Sequence, residues 1–200
     1  MKKILMIAAL MVATLSASAQ GMYLKPMVGG TLSTYRGSDV KDNKMRFGLV
    51  AGAEFGYMIN EKFGATAGLL VSMQGSNSKD TDYEKDRSAT LTYLNIPLLA
   101  NFYIIPGLAI KAGVQPGFLL SAKTKGSEYD DGRWVDWDKS GTDGLKKFDF
   151  SIPIGVSYEF SDFVIDARYN LGLTKIDDTA LSAKAYNSVI MLTLGYKIPF

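Results

Sequence analysis

FDFSIPIGVSYEFSDFVIDARYNLGL, residues 148–173, alternates along almost its whole length. Phe148, Phe150, Ile152, Ile154, Val156, Tyr158 and Phe160 share one parity, and Asp149, Ser151, Gly155, Ser157 and Glu159 share the other. Ser161 and Asp162 interrupt the pattern. It then resumes, with Phe163, Ile165, Ala167, Tyr169, Leu171 and Leu173 set against Asp166, Arg168, Asn170 and Gly172. A period of two belongs to a β-strand, because successive side chains leave the pleated backbone on opposite faces. The stretch therefore predicts two strands joined by a tight turn, each with one greasy face and one wet face.

The same alternation recurs on both sides of this hairpin. Segment 46–58 sets Phe47, Leu49, Ala51, Ala53, Phe55 and Tyr57 against Arg46, Gly48, Gly52, Glu54 and Gly56. Segment 63–74 alternates in the same way, as does the end of the chain, with Ile190, Leu192, Leu194, Tyr196, Ile198 and Phe200 on one face. Segments 23–33, 90–102 and 108–120 follow the rule less cleanly. The total is eight strands, each about as long as the ~9–11 residues that a membrane-spanning strand needs. Connections alternate between short (59–62, 103–107, 161–162) and long, polar ones (34–45, 75–89, 121–146, 174–186). Short turns at one end and long polar loops at the other are the layout of an up-and-down outer-membrane barrel. The expected fold is all-β: an eight-stranded antiparallel up-and-down transmembrane β-barrel, with both ends of the mature chain periplasmic and the long loops extracellular.

Alternation alone does not say which face meets water. A soluble lipocalin-like barrel would turn the apolar face inward. Here the other face is rich in glycine (Gly48, Gly52, Gly56, Gly64, Gly68, Gly113, Gly117, Gly155, Gly172, Gly195), which weakens a water-exposed strand. Inside a narrow barrel it makes room for larger neighbours. Aromatic residues also sort by depth. Tyr57, Phe63, Phe102, Tyr158, Phe160, Phe163 and Phe200 fall at the short-turn ends; Phe47, Phe118, Phe148 and Phe150 fall near the long loops. Two aromatic belts around an aliphatic band point to lipid outside. Closure then follows, since an open sheet edge in hydrocarbon would leave backbone groups unpaired.

Residues 1–19 read as a cleavable signal peptide: Lys2 and Lys3, an apolar run from Ile4 to Leu15, then Ala17-Ser18-Ala19. The barrel domain is expected over residues 20–200. The apolar run is short of the ~20 residues of a spanning helix, which argues against a retained anchor. The whole chain has 22 Lys+Arg and 20 Asp+Glu; without the two leader lysines the charges balance, so nothing suggests a nucleic-acid partner. There is no Cys and no His, which removes disulfides, thiolate chemistry and every His-based catalytic design. The protein is expected to be non-enzymatic, with neither cofactor nor metal.

The chain ends in alternating apolar residues, Tyr196, Ile198 and a terminal Phe200, resembling the C-terminal signature by which outer-membrane barrels are recognised for insertion. Pro199 departs from the ideal pattern. Leu94-Asn95-Ile96-Pro97-Leu98-Leu99 and Ala167-Arg168-Tyr169-Asn170-Leu171-Gly172-Leu173 resemble segments of the PorT-like family of small outer-membrane β-barrel proteins. The resemblance covers nearly the whole mature chain. It implies a barrel in the outer membrane of a Gram-negative bacterium, inserted by the barrel-assembly machinery and surrounded by outer-membrane lipid. Some members of that family are implicated in protein secretion across the outer membrane; many have no assigned role.

Nine charges fall on the inward parity: Lys25, Arg46, Glu54, Lys111, Asp149, Glu159, Asp166, Arg168 and Lys197. Buried charges persist when paired, so a lumenal salt-bridge network is expected to plug the barrel, with Arg168 near its centre beside Glu54, Asp166 or Glu159. A narrow ion or solute channel is the competing use of these residues. Loop 121–146 carries Tyr129, Trp134 and Trp137, which are candidates for contact with an envelope protein partner. Its Asp136-Trp137-Asp138-Lys139-Ser140-Gly141 echoes the opening of a calcium loop. Lys147 stands where such a loop needs a bidentate Glu, and a solvated acidic loop is the simpler expectation.

Overall fold

The computed structural model describes residues 21–37, 43–78, 84–130, 133–176 and 185–200. The expected signal peptide, 1–19, lies outside them, as do parts of all four long loops. The strand segments in chain order are β1 (Met22–Arg36), β2 (Asn43–Lys44), β3 (Arg46–Met58), β4 (Phe63–Ser78), β5 (Glu84–Asn95), β6 (Leu98–Ile105), β7 (Leu108–Asp130), β8 (Arg133–Ser140), β9 (Phe148–Phe160), β10 (Phe163–Lys175), β11 (Tyr186–Tyr196) and β12 (Ile198–Pro199). Every pairing is antiparallel, and β11 pairs with β1 from Met27↔Gly195 to Arg36↔Tyr186, so the sheet closes on itself. The ring has eight staves: β1, β3, β4, β5 with β6, β7, β9, β10 and β11.

The quoted hairpin becomes β9 and β10, paired from Phe163↔Phe160 to Gly172↔Ser151. Its turn is tight enough that Ser161 takes a positive φ of 52°. The turn between β3 and β4 is closed by Asn60, whose Oδ1 accepts hydrogen bonds from the backbone N–H of Lys62 and Phe63, both 2.9 Å.

The apolar face points outward. Val28, Leu49, Leu69, Ile154, Leu192 and Leu194 are all exposed, while Lys25, Glu54, Lys111, Asp166 and Arg168 are each no more than 3% exposed. This is the reverse of a soluble barrel. Neighbouring rings in the belts touch: Phe63–Phe102 (centroids 5.0 Å), Phe160–Phe163 (5.7 Å) and Phe163–Tyr196 (5.3 Å) at the short turns, Phe118–Phe148 (5.6 Å) at the other end.

Four boundaries differ from the sequence expectation. Segment 90–102 is two strands, because Pro97 has no N–H to continue the ladder. The stave is spliced there by Gly68 N–H donating to the Pro97 carbonyl and Ile96 N–H to that of Pro116, both 2.9 Å. The turn 103–107 shrinks, and Tyr103 is drawn inside as part of β6. β4 and β5 run well into the segment expected as loop 75–89. The largest change is in 121–146: β7 continues to Asp130 and returns as β8, with cross-strand partners from Lys123↔Ser140 to Asp130↔Arg133. Polar composition there signals water on both faces of a sheet rather than the lack of one.

Candidate functional site

Two features stand out, one inside the barrel and one beyond its mouth. Inside, Arg168 of β10 lies between two carboxylates. Its Nε and Nη2 donate to Asp166 Oδ1 and Oδ2 (2.5 and 2.8 Å), and Nη1 lies 2.5 Å from Glu54 Oε1. Lys25 Nζ is 2.8 Å from Glu54 Oε2 and 3.7 Å from Asp166 Oδ2. Lys111 Nζ donates to Asp166 Oδ2 at 2.6 Å. Closure of the ring is needed to bring these residues together, since they come from the four strands β1, β3, β7 and β10. Glycines make the room. A Cβ at Gly155 would lie 2.9 Å from Arg168 Cγ, one at Gly195 2.9 Å from Lys25 Cγ, and one at Gly68 2.7 Å from Glu54 Cγ.

Nearer the short turns, Lys197 pairs with Glu159 at 2.8 Å, and the Tyr103 hydroxyl donates to the other Glu159 oxygen at 2.8 Å. Glu159 is therefore not a partner of Arg168. Two of the nine inward charges stand apart from these clusters. Asp149 accepts a hydrogen bond from Asn187 Nδ2 at 3.2 Å and has no ion-pair partner among the described residues. Arg46 is half-buried at the long-loop end, its Nε and Nη1 without a hydrogen-bond partner among the described residues. Their positions explain this: they sit above Arg168 along the axis, on the loop side of β3 and β9.

The interior is also less uniformly polar than its parity suggested. Met27, Val50, Leu70 and Met191 form one apolar cluster within it. Leu91, Tyr93, Leu119, Ala122 and Ile176 form another toward the long loops, with Leu145 packed against it. Ala122 belongs there because β7 carries one extra residue opposite Thr92 and Tyr93, which changes the phase of its alternation, whereas Leu119 keeps the inward parity of Lys111 and Gln115. Nothing in the residue order announces that bulge.

Beyond the mouth, β5, β7 and β8 form a three-stranded sheet. Tyr129 and Trp134 face each other with ring centroids 5.2 Å apart, and Lys85 Nζ sits 4.3 Å over the Trp134 ring. Trp137 lies on the opposite face, against Gly126, with Lys139 Nζ 5.4 Å from its centroid. The two tryptophans thus do not form one patch. Asp136 accepts a hydrogen bond from Ser127 Oγ (2.6 Å), and Asp138 lies 3.6 Å from Lys125 Nζ, so the stretch that echoed a calcium loop is extended and internally paired. At the C-terminus, Tyr196 and Ile198 face outward, and Phe200 N–H donates to the Met22 carbonyl at 3.1 Å.

A closed barrel with aliphatic side chains outside and paired charges inside is an integral outer-membrane protein of the β-barrel class. The chain belongs to the outer membrane protein beta-barrel domain family, which matches residues 18–178. Its fold is similar to that of Ail, the attachment invasion locus protein of Yersinia pestis. The crystal structure of Ail has 17% identity and a TM-score of 0.51, covering 90% of this chain and 99% of that one. Ail in complex with the heparin analogue sucrose octasulfate gives 17% identity and a TM-score of 0.53, covering 90% and 100%. The backbone structure of Ail in a phospholipid bilayer nanodisc gives 18% and 0.50, covering 90% and 100%. At this identity the likeness is one of fold alone. No curated protein matches the chain.

Proposed function

We propose that this protein is a non-enzymatic surface-interaction barrel, with its ionic lumen serving as a plug and its protruding sheet as the contact element. In this orientation the long loops are extracellular and the termini, joined through Phe200 and Met22, are periplasmic. One observation carries the proposal: β8 pairs only with β7 among the described residues and is exposed along nearly all its length. An unpaired strand edge is a template for another chain, which can add a strand through main-chain hydrogen bonds. Trp134 and Tyr129 on one face and Trp137 on the other would supply side-chain contacts to an envelope protein partner.

The test is capture from intact envelopes by the full barrel and by a variant in which residues 124–139 are replaced by a short turn. A discrete partner retained by the first and lost by the second supports the proposal; equal capture contradicts it. The plug predicts a silent protein in planar bilayers. Discrete conductance altered by Arg168→Ala would favour the narrow channel instead. The PorT-like resemblance suggests a secretion accessory, for which deletion of the gene would trap exported cargo in the periplasm.

A further inference from the structure

The lower lumen holds more positive charge than its carboxylates match. Lys197 pairs off with Glu159, which leaves Lys25, Lys111 and Arg168 facing Glu54 and Asp166. That is three cations against two anions, and all five side chains are no more than 3% exposed. An unmatched charge out of water is strongly unfavourable. Asp149, the remaining inward carboxylate, is engaged with Asn187 rather than with a cation.

Unused donors surround the excess charge. Asn101 Nδ2, Ser157 Oγ and Thr193 Oγ1 have no hydrogen-bond partner among the described residues, and their residues are 1%, 2% and 2% exposed. The register sets them at neighbouring levels on the staves β6, β9 and β11 that flank β7 and β10. Asn101 is the cross-strand neighbour of Lys111, while Ser157 and Thr193 flank Asp166, the carboxylate that Lys111 holds. Lys111 has three N–H groups and a single ion-pair partner among the described residues. The ammonium, the amide N–H and the two hydroxyls can all donate, Asn101 Oδ1 is likewise without a partner among the described residues, and buried polar groups left unmatched are rare in folded proteins. Space is limited, because the glycine-made gaps are already filled by Arg168, Lys25 and Glu54.

We propose that the donors around Lys111 bind a small monatomic anion of the halide class, which completes the charge balance inside the barrel. Water could satisfy the hydrogen bonds but not the charge. The site is independent of what the protruding sheet engages.

Anomalous diffraction from crystals of the full-length barrel grown in bromide tests this directly, together with thermal unfolding in detergent in chloride and in gluconate. The expected result is a bromide peak inside the lumen beside Lys111, and a melting midpoint shifted upward by chloride. Lys111→Met leaves two cations and two carboxylates, so it should lose both the peak and the shift. Asn101→Ala, which keeps every charge, should weaken both, and it serves if the methionine variant does not fold. No lumenal peak overturns the proposal. So does a chloride shift unchanged in both variants, which would reflect ionic strength alone. A peak with no effect on melting marks an adventitious ion only and counts equally against it.

Discussion

Glu54 contacts both Lys25 and Arg168 from the centre of the barrel. Removing it leaves Lys25, Lys111 and Arg168 facing a single carboxylate, Asp166. Glu54→Ala should therefore destabilise the barrel by about 3–5 kcal/mol, because an unpaired buried charge costs far more than the pair contributes. Urea unfolding in detergent micelles measures this. The double variant Glu54→Met, Arg168→Met should cost clearly less than the single one; a double variant as unstable as the sum of its parts would contradict the pairing. At this scale the sequence was informative about kind and poor about partners. The parity of Asp166 and Arg168 in residues 148–173 put both inside. That Lys25 and Lys111 would meet them depends on ring closure, which no local pattern encodes. Asp149 and Arg46 share that parity but sit at another depth, and depth along the axis is set by strand stagger.

The elements divide in the same way. β9 and β10 were legible because their two faces differ chemically along the full strand. β8 was not, because neither face of the sheet beyond the mouth is apolar: Lys123, Lys125 and Ser127 alternate with Thr124, Gly126 and Glu128. Where both faces meet water, alternation carries no hydrophobic signal, and hydrogen bonding alone makes the strand. Two expectations belong here. Replacing residues 124–139 by a short turn should leave the melting midpoint of the barrel essentially unchanged, since the hairpin adds no lumenal packing; a large drop by circular dichroism would show that it braces the barrel. Gly155→Leu should destabilise by about 1–3 kcal/mol, because the new side chain must push against the Ala167 carbonyl of the neighbouring strand and displace Arg168 from the space it occupies. A neutral outcome in the same unfolding assay would mean that the glycines do not make room for the ions.

At the scale of the whole molecule, everything depends on which way the two faces turn. Closure through β1 and β11 gives every stave two neighbours, so the backbone needs no water within the hydrocarbon. The outward aliphatic band and the inward ions are then two consequences of one orientation. The chain has no cysteine, which allows single-cysteine spin labels to be placed one at a time along residues 189–196 in reconstituted bilayers. Collision with dissolved oxygen should peak at Ile190, Leu192 and Leu194 and fall at Val189, Met191 and Thr193. Maxima at Val189, Met191 and Thr193, or strong access of a water-soluble relaxant to Leu192, would contradict the orientation.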